Sequence, residues 1–193
     1  MKNLMKAMTL VLFFTGLMIS PLGAQNYLAG ASVDGKWGFI NPEGNWVIQP
    51  GFDGVQDFSE GLACAKTGAN WGFITVTGEW AIKPLYKRAE DFSEGVARVI
   101  DRQAGKWIYI NKTGKLAFSA QFENCMNFSE GRAAARANSA WGYIDKSGQY
   151  VIPDKYDHAE TFSEGMGRVS IGKTYGFVGP SGEWVLKTNL ENI

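Results

Sequence analysis

The tetrapeptide F-S-E-G stands at residues 58–61 and returns at 92–95, 128–131 and 162–165, so its starts lie 34, 36 and 34 residues apart. A repeat of this length predicts tandem units that bury one another. Glycine permits a sharp bend, phenylalanine supplies an apolar plug, and serine and glutamate offer acceptors for backbone N–H groups at that bend. We therefore interpret the motif as structural, while its row of glutamates also suits a cation or the bases of a partner. The motif residues are Phe58, Glu60, Phe92, Glu94, Phe128, Glu130, Phe162 and Glu164.

An aromatic run keeps the same period, as in W-G-F-I at residues 71–74. The run begins at Trp37, Trp71, Trp107, Trp141 and Tyr175. Alternation of residue types predicts a strand, and a glycine inside a strand predicts close approach of a neighbouring backbone. In the third unit Ile108 replaces that glycine, so we expect different packing there. The two extra residues of this unit fall within residues 101–106, which we expect to form a surface hairpin tip.

Two further strands complete each predicted unit. The strand after F-S-E-G places small residues, such as Ala63 and Ala65, on a side that should face a packed interior. Its other side should face water and carries Arg98, Arg132, Arg136 and Arg168. A third strand follows a turn glycine, and its bulky residues, such as Trp80 and Ile82, should share one face.

Together these patterns predict an all-β protein of about five three-stranded antiparallel units that form an open, solenoid-like array. The expected repeats are about 27–60, 61–94, 95–130, 131–164 and 165–193. The alternative is a small five-bladed β-propeller, in which the first unit would complete the last.

The first 24 residues have the pattern of a secretory signal peptide. Two lysines precede an apolar run that is too short for a membrane span, and Pro21 and Gly23 follow it. We expect cleavage between Ala24 and Gln25, with an uncleaved anchor as the alternative, and a repeat domain over residues 25–193. The mature protein would be periplasmic or extracellular, with no stable membrane span. Loss of Lys2 and Lys6 leaves 17 of the 19 basic residues against 19 acidic ones, a balance that gives no reason to expect a nucleic-acid partner.

The two cysteines, Cys64 and Cys125, stand at different positions of the repeat. We interpret them as buried free thiols, and leave open that they pair in an oxidising compartment. With the single His158 and no Cys-x-x-Cys, the sequence offers no zinc set, and we expect neither a metal nor a cofactor.

The combined motif resembles the bacterial WG-repeat family. The resemblance rests on W-G-F-I, then G-x-W-x-I-x-P, then F-D-x-V-x-x-F-S-E-G-L-A, and it extends over nearly the whole chain after residue 24. Tyr175, Ile108 and Ala120 depart from the pattern. The resemblance implies a β-rich repeat scaffold, often on exported or envelope proteins, with no established catalytic residues to transfer.

Repetition argues against catalysis, because a catalytic site needs chemically different groups that converge on one point, and a repeat supplies nearly the same groups in every unit. We therefore predict no enzyme, but a non-catalytic scaffold that binds a protein or glycan of the cell envelope. The candidate binding residues are Arg98, Arg132, Arg136 and Arg168, and any exposed repeat tryptophan is a second candidate surface. The alternative is a small envelope hydrolase with a carboxylate-based site.

Overall fold

The computed structural model describes residues 27–188, which contain strands and turns but no helix. The expected signal peptide lies outside the described residues. Eighteen strands form five small antiparallel sheets. Sheet 1 contains β1 (Ala29–Val33), β2 (Lys36–Ile40) and β3 (Trp46–Phe52). Sheet 2 contains β4 (Gly54–Ser59), β5 (Leu62–Thr67), β6 (Asn70–Thr75) and β7 (Trp80–Tyr86). Sheet 3 contains β8 (Arg88–Ala89), β9 (Val96–Ile100) and β10 (Trp107–Asn111). Sheet 4 contains β11 (Asn124–Cys125), β12 (Ala133–Asn138), β13 (Ala140–Ile144) and β14 (Tyr150–Tyr156). Sheet 5 contains β15 (His158–Ala159), β16 (Gly167–Ile171), β17 (Thr174–Val178) and β18 (Trp184–Thr188).

Strands pair in chain order within each sheet, so every sheet is a meander joined by hairpins. The predicted all-β class and the five antiparallel units are confirmed. Three of the sheets have a fourth strand beyond the expected three, because the connector before F-S-E-G pairs with the strand after it. In sheet 2, for example, Val55 lies opposite Ala65.

The glycine of the aromatic strand has a steric role. A methyl group on Gly72 would lie 2.5 Å from the carbonyl oxygen of Ile82, and one on Gly142 would lie 2.6 Å from that of Ile152. The next strand therefore crosses so closely that no side chain fits, which confirms the predicted backbone approach.

Sheet 3 shows what happens when this glycine is missing. Ile108 occupies the position, and the chain after β10 makes only two isolated bridges to that strand, from Leu116 to Ile110 and from Phe122 to Trp107. A side chain at residue 108 fills the space that the last strand of the other sheets needs. The predicted difference in packing is therefore confirmed, and sheet 3 ends at β10 among the described residues. The insertion forms a hairpin tip, as expected, in which the Asp101 N–H donates to the Lys106 carbonyl at 3.0 Å.

Hydrophobic clusters lie between consecutive sheets, so an internal sheet is covered on both faces. On β5, Ala63 and Ala65 pack toward sheet 1, whereas Cys64 packs toward sheet 3. The small residues thus face a packed interior, as predicted. The expectation that the opposite side of this strand faces water is wrong for the internal units, because the next sheet covers it.

A bulge also separates two residues that we expected on one face. Trp80 packs against sheet 1, with its ring 5.5 Å from that of Phe52, while Ile82 belongs to the cluster between sheets 2 and 3. The reason is a register shift: adjacent residues Phe73 and Ile74 of β6 pair with Ile82 and Trp80 of β7. The extra residue turns the side chains of β7 to opposite faces.

The same joint recurs between successive sheets. The phenylalanine of each F-S-E-G packs in a tilted or edge-to-face arrangement against an aromatic ring of the sheet before it. The pairs are Phe39–Phe58 at 4.7 Å, Phe73–Phe92 at 4.8 Å, Tyr109–Phe128 at 5.0 Å and Tyr143–Phe162 at 4.7 Å between ring centroids. The turn glycine of each later sheet also lies against a bulky residue of the sheet before it, as Gly78 does against Ile48. We call this set of contacts the inter-unit joint.

Both cysteines are buried free thiols, in agreement with the interpretation from sequence. Cys64 lies in the cluster between sheets 2 and 3, and Cys125 in the cluster between sheets 3 and 4. Burial raises the pKa of both thiols, that of Cys125 to about 11.

Candidate functional site

The F-S-E-G motif forms a two-residue hairpin turn. The Ser93 N–H and the Val96 carbonyl are 2.9 Å apart across it. Between them, Glu94 has φ 52° and Gly95 has φ 87°. Two successive left-handed residues are typical of a type I′ turn, but glutamate is an unfavourable residue for the first position. The other three copies repeat this geometry, with Glu60 at φ 52° and Glu130 and Glu164 at φ 53°.

The glutamate side chain explains this choice. The Glu60 carboxylate accepts the N–H of Gly95 at 3.1 and 3.2 Å, and the Glu130 carboxylate accepts that of Gly165 at 2.9 Å. Each of these carboxylates therefore accepts from the next unit, so our expectation that it would serve its own bend is wrong. The serine also bonds to the next unit, because Ser59 Oγ donates to the Phe92 carbonyl at 2.7 Å. The polar groups of F-S-E-G belong to the inter-unit joint.

Two lysines that sequence reasoning missed strengthen the joint. Lys112 Nζ lies 3.1 Å from the Glu60 carboxylate, and Lys146 Nζ lies 3.1 Å from that of Glu94. Burial opposes ionisation of Glu60, but the hydrogen bonds from Lys112 and from the Gly95 N–H outweigh it and lower its pKa. The signal was present in the sequence, because both lysines precede a turn glycine by two residues. Glu60 and Glu94 therefore each have a lysine partner within the protein.

Arg98 lies in the joint between sheets 3 and 4 rather than on the surface. Its side chain is 17% exposed. Its Nε donates to Asn127 Oδ1 at 2.9 Å, Nη1 donates to the Cys125 carbonyl, and the guanidinium lies 4.8 Å from the centre of the Trp107 ring. The expectation that Arg98 faces water is therefore wrong, since sheet 4 covers this face.

Arg136 and Arg168 are more accessible, with 35% and 38% of their side chains exposed, Arg132 is half-buried, and the structure does not bring all four arginines together. Arg132 donates to the Glu130 carbonyl at 3.2 Å and lies over the Phe162 ring. Arg136 lies 5.5 Å from the centre of the Trp141 ring and 3.8 Å from Glu123. Arg168 pairs with Glu160 at 3.1 Å on the outer face of sheet 5.

The repeat tryptophans are progressively covered along the chain. Trp37 is 36% exposed, Trp71 is half-buried, and Trp107 and Trp141 are buried. A basic side chain lies over each of the last three rings, with Lys66 at 5.9 Å from the centre of Trp71. Two of the predicted arginines and one lysine thus lie over repeat tryptophans, in a feature that we call the cation–tryptophan row, while the exposed Trp37 lies outside it. The row consists of Lys66 with Trp71, Arg98 with Trp107, and Arg136 with Trp141.

Two adjacent titratable groups in the interior have raised pKa values. Burial, with Glu90 and Asp57 nearby, raises the pKa of Asp91, which contacts the Cys64 thiol. Because burial also raises the pKa of that thiol, Cys64 is not a thiolate nucleophile at neutral pH. Among residues 27–188, no cluster of three or more His, Cys, Asp or Glu side chains is placed to hold a metal ion. The same residues include no helix of the length and apolarity that crossing a bilayer requires.

Comparison with known families identifies the repeat. A sequence model described as "WG containing repeat" matches residues 37–71, 71–107, 109–139 and 141–175. These four matches cover well over half of the chain. No curated protein matches the sequence.

One solved structure supports the fold. The chain is similar to a structure described as "KlHsv2 with loop 6CD replaced by a Gly-Ser linker", with a TM-score of 0.60 and 11% identity over 87% of this chain and 66% of that one. It also matches "YCF48 bound to D1 peptide" (TM-score 0.48, 14% identity, 85% of this chain and 66% of that one). A protein of unknown function from Bacteroides caccae matches with a TM-score of 0.37 and 17% identity, over 86% of this chain and 73% of that one. The chain spans just under two thirds of the first two structures, and the first likeness is to a β-propeller-like fold.

Proposed function

The chain belongs to the WG-repeat family, and from that premise we propose that it is an exported, non-catalytic scaffold that binds a protein or glycan of the cell envelope. Export rests on the signal-peptide pattern of residues 1–24. The non-catalytic role is supported by the use of the repeated polar groups. A catalytic site built from the repeat would use the motif carboxylates. Those of Glu60, Glu94 and Glu130 instead accept backbone N–H groups of the next unit.

The observation that carries the binding proposal is the cation–tryptophan row. A base stacked on an indole ring recurs in three successive units, at 4.8 to 5.9 Å from cation to ring centre. Repeat proteins commonly bind along surfaces that recur at a regular interval. Lys66 and Arg136 occupy the same place in their units, whereas Arg98 stands two places earlier. Because Trp107 and Trp141 are buried, the bases are the accessible part of the row, and they favour a ligand that carries negative charge.

Arg98 is too deeply placed to be tested by removal, so Lys66 and Arg136 are the residues to change. Both contact a ring of the row, and the Arg136 side chain is 35% exposed. The variant Lys66→Gln with Arg136→Gln removes two positive charges while leaving the tryptophans in place. We expect capture from a solubilised envelope extract of the native host to fall by on the order of tenfold.

The matched control is Lys83→Gln with Lys173→Gln, which removes the same charge from two exposed positions outside the row. Its unfolding free energy and that of the row variant should each stay within about 0.5 kcal/mol of the wild type. Polygalacturonate, an anionic glycan, and uncharged dextran serve as defined probes alongside the extract. Equal capture by both variants and the wild type would exclude the row as the binding surface.

A further inference from the structure

The two ends of the array carry the two halves of the inter-unit joint. We propose that these ends bind each other between molecules, so that sheet 5 of one copy docks on sheet 1 of a second copy of this chain. The contact would be head-to-tail and would repeat one part of the inter-unit joint, the packing of a turn glycine against a bulky residue of the preceding sheet, because sheet 1 carries no F-S-E-G motif.

Sheet 5 presents the bulky half of the joint. In the internal joints, the residues Ile48, Ile82 and Ile152 lie under the turn glycine of the next sheet and are at most 6% exposed. The residue at the corresponding place in sheet 5 is Leu186, which is 49% exposed. Phe177 is half-buried, although its equivalents are fully buried beneath the next phenylalanine. Those equivalents are Phe39, Phe73, Tyr109 and Tyr143.

Sheet 1 presents the small half. Ala29 and Ala31 correspond to Ala63 and Ala65 of sheet 2, which are fully buried against the preceding sheet. In sheet 1, Ala29 is exposed and Ala31 is half-buried. The turn glycine Gly44 is uncovered as well.

A methyl group on Gly44 would meet no described atom within 4 Å. On Gly78 or Gly182, by contrast, it would lie 2.9 Å from an isoleucine of the preceding sheet. The surface of sheet 1 is therefore flat and open where the later sheets receive a bulky side chain. The flat surface of sheet 1 and the bulky side chain on sheet 5 are complementary in shape.

The polar part of the joint also has an available member on sheet 5. Glu164 has the same left-handed backbone as the other motif glutamates, at φ 53°, and its side chain is exposed. Within residues 27–188 no backbone N–H donates to its carboxylate, whereas Glu130 accepts that of Gly165 at 2.9 Å. Glu164 therefore leaves an acceptor exposed at this end, while the glycine donor of the internal joints has no counterpart in sheet 1.

The joint between sheets 4 and 5 shows that a lysine is not required. At the place of Lys112 and Lys146 sheet 5 has Pro180, yet the Glu130 hydrogen bond and the burial of Ile152 are retained. Sheet 1 has Pro42 at the same place in its turn. The joint between sheets 4 and 5 is therefore the appropriate template for the contact between copies.

Within residues 27–188 the two halves do not contact each other, since Leu186 is exposed and Gly44 is open. A second copy offers each end the surface that the internal joints already use. Such a heterologous contact leaves one free end on each partner, so it generates rings or filaments rather than a symmetric dimer.

The test uses two variants of the full chain that block opposite ends. Leu186→Lys places a charge in the bulky half of the contact. Gly44→Asp adds a side chain to the flat half, and aspartate tolerates the left-handed φ of this position better than most residues. Sedimentation velocity over a wide range of protein concentration should show association of the wild type and monomers for each variant alone. An equimolar mixture of the two variants should form a dimer that grows no further, because each variant retains one intact end.

Matched controls change residues of similar exposure outside the joint. Val185→Lys alters the neighbouring exposed position of β18, and Gly35→Asp alters another open left-handed glycine. Both should associate as the wild type does. A wild type that is monomeric at all concentrations, variants that still self-associate, or a mixture that stays monomeric would each overturn the proposal.

Discussion

The Glu94 carboxylate accepts the backbone N–H of Gly131, 37 residues later in the chain, at 3.1 and 3.2 Å. Glu94 itself has a left-handed backbone with φ 52°. That conformation costs an L-residue roughly 1–2 kcal/mol, while a hydrogen bond to a charged group contributes about 1.5–3 kcal/mol. The hydrogen bond contributes enough to offset the cost of the left-handed backbone. This accounts for glutamate at a turn position where glycine or asparagine would otherwise be favoured.

Three substitutions at Glu94 separate the cost of its left-handed backbone from the contribution of its side-chain interactions. Glu94→Gln retains an acceptor for Gly131 but loses the ion pair with Lys146, so it should destabilise least. Glu94→Ala loses both interactions and retains the strain, and should cost about 1–3 kcal/mol. Glu94→Gly should fall between them because it relieves the strain. The free energy of unfolding in urea gives the order, and Glu164→Ala, at the exposed copy of the motif, should have almost no effect.

Gly72→Ala tests the close approach of the third strand of the unit. The added methyl group would lie 2.5 Å from the Ile82 carbonyl oxygen, which is backbone and cannot rotate away. We expect a loss of about 1–3 kcal/mol and a lower melting temperature. Gly51→Ala is the control, since its methyl group would be 3.9 Å from the nearest neighbour. Equal melting temperatures for the two variants would contradict the steric role of Gly72.

Acid should weaken the joint between sheets 2 and 3. The folded state lowers the pKa of Glu60, because Lys112 and the Gly95 N–H outweigh the effect of burial. A lowered pKa means that the contribution to stability is present above the ordinary pKa of glutamate, about 4.3, and is lost as the pH falls through the folded value. Lys112→Met should therefore destabilise by about 0.5–1 kcal/mol at pH 7 and by much less at pH 3. Urea unfolding at both pH values measures the difference.

Asp91 should behave in the opposite sense. Burial, followed by Glu90 and Asp57, raises its pKa, and its Oδ1 is buried without a hydrogen-bond partner. A raised pKa means that stability is fully present below the ordinary pKa of aspartate and is lost as the pH rises through the folded value. Asp91→Asn should therefore stabilise by about 1 kcal/mol at pH 7, with little change at pH 3. Unfolding curves that show a less stable variant at pH 7 would contradict this account.

The thiols give a test of burial. Cys64 and Cys125 are both fully buried, and burial raises their pKa values. A thiol-reactive dye should therefore label neither residue in the native protein and both after unfolding in urea without reductant. Rapid labelling of the native chain would show that these clusters open readily.

Local rules predicted much of this fold. Alternation identified the strands of the hairpins but not the connector strands β4, β8, β11 and β15. The turn glycines identified the hairpins, and the insertion at residues 101–106 lay where the period placed it. Even the lost strand of sheet 3 could be related to one residue, Ile108. These features depend on contacts within one hairpin, so they follow from short stretches of sequence.

Features that depend on the neighbouring unit were less predictable. Strand alternation assigns one face to water, and this fails when sheets cover one another on both sides, as at Cys64 and Arg98. The opposite faces of Trp80 and Ile82 follow from a bulge that alternation does not reveal. The recipient of each glutamate lies a full repeat away, and nothing in the motif itself identifies it. The cation–tryptophan row was missed for a different reason: Lys66 lies opposite Trp71, and Arg136 opposite Trp141, across one hairpin, and alternation along a single strand does not reveal such cross-strand pairs.

The left-handed glutamate has a consequence for how the array folds. A repeat that folds alone bears the conformational penalty at its turn without the hydrogen bond that compensates for it, since the donor belongs to the next repeat. Stability therefore resides more in the interfaces than in the individual repeats, which is the condition for cooperative unfolding in one-dimensional arrays. Truncation by one repeat would remove more than that repeat's own share of stability, and a single isolated repeat should be unfolded in water.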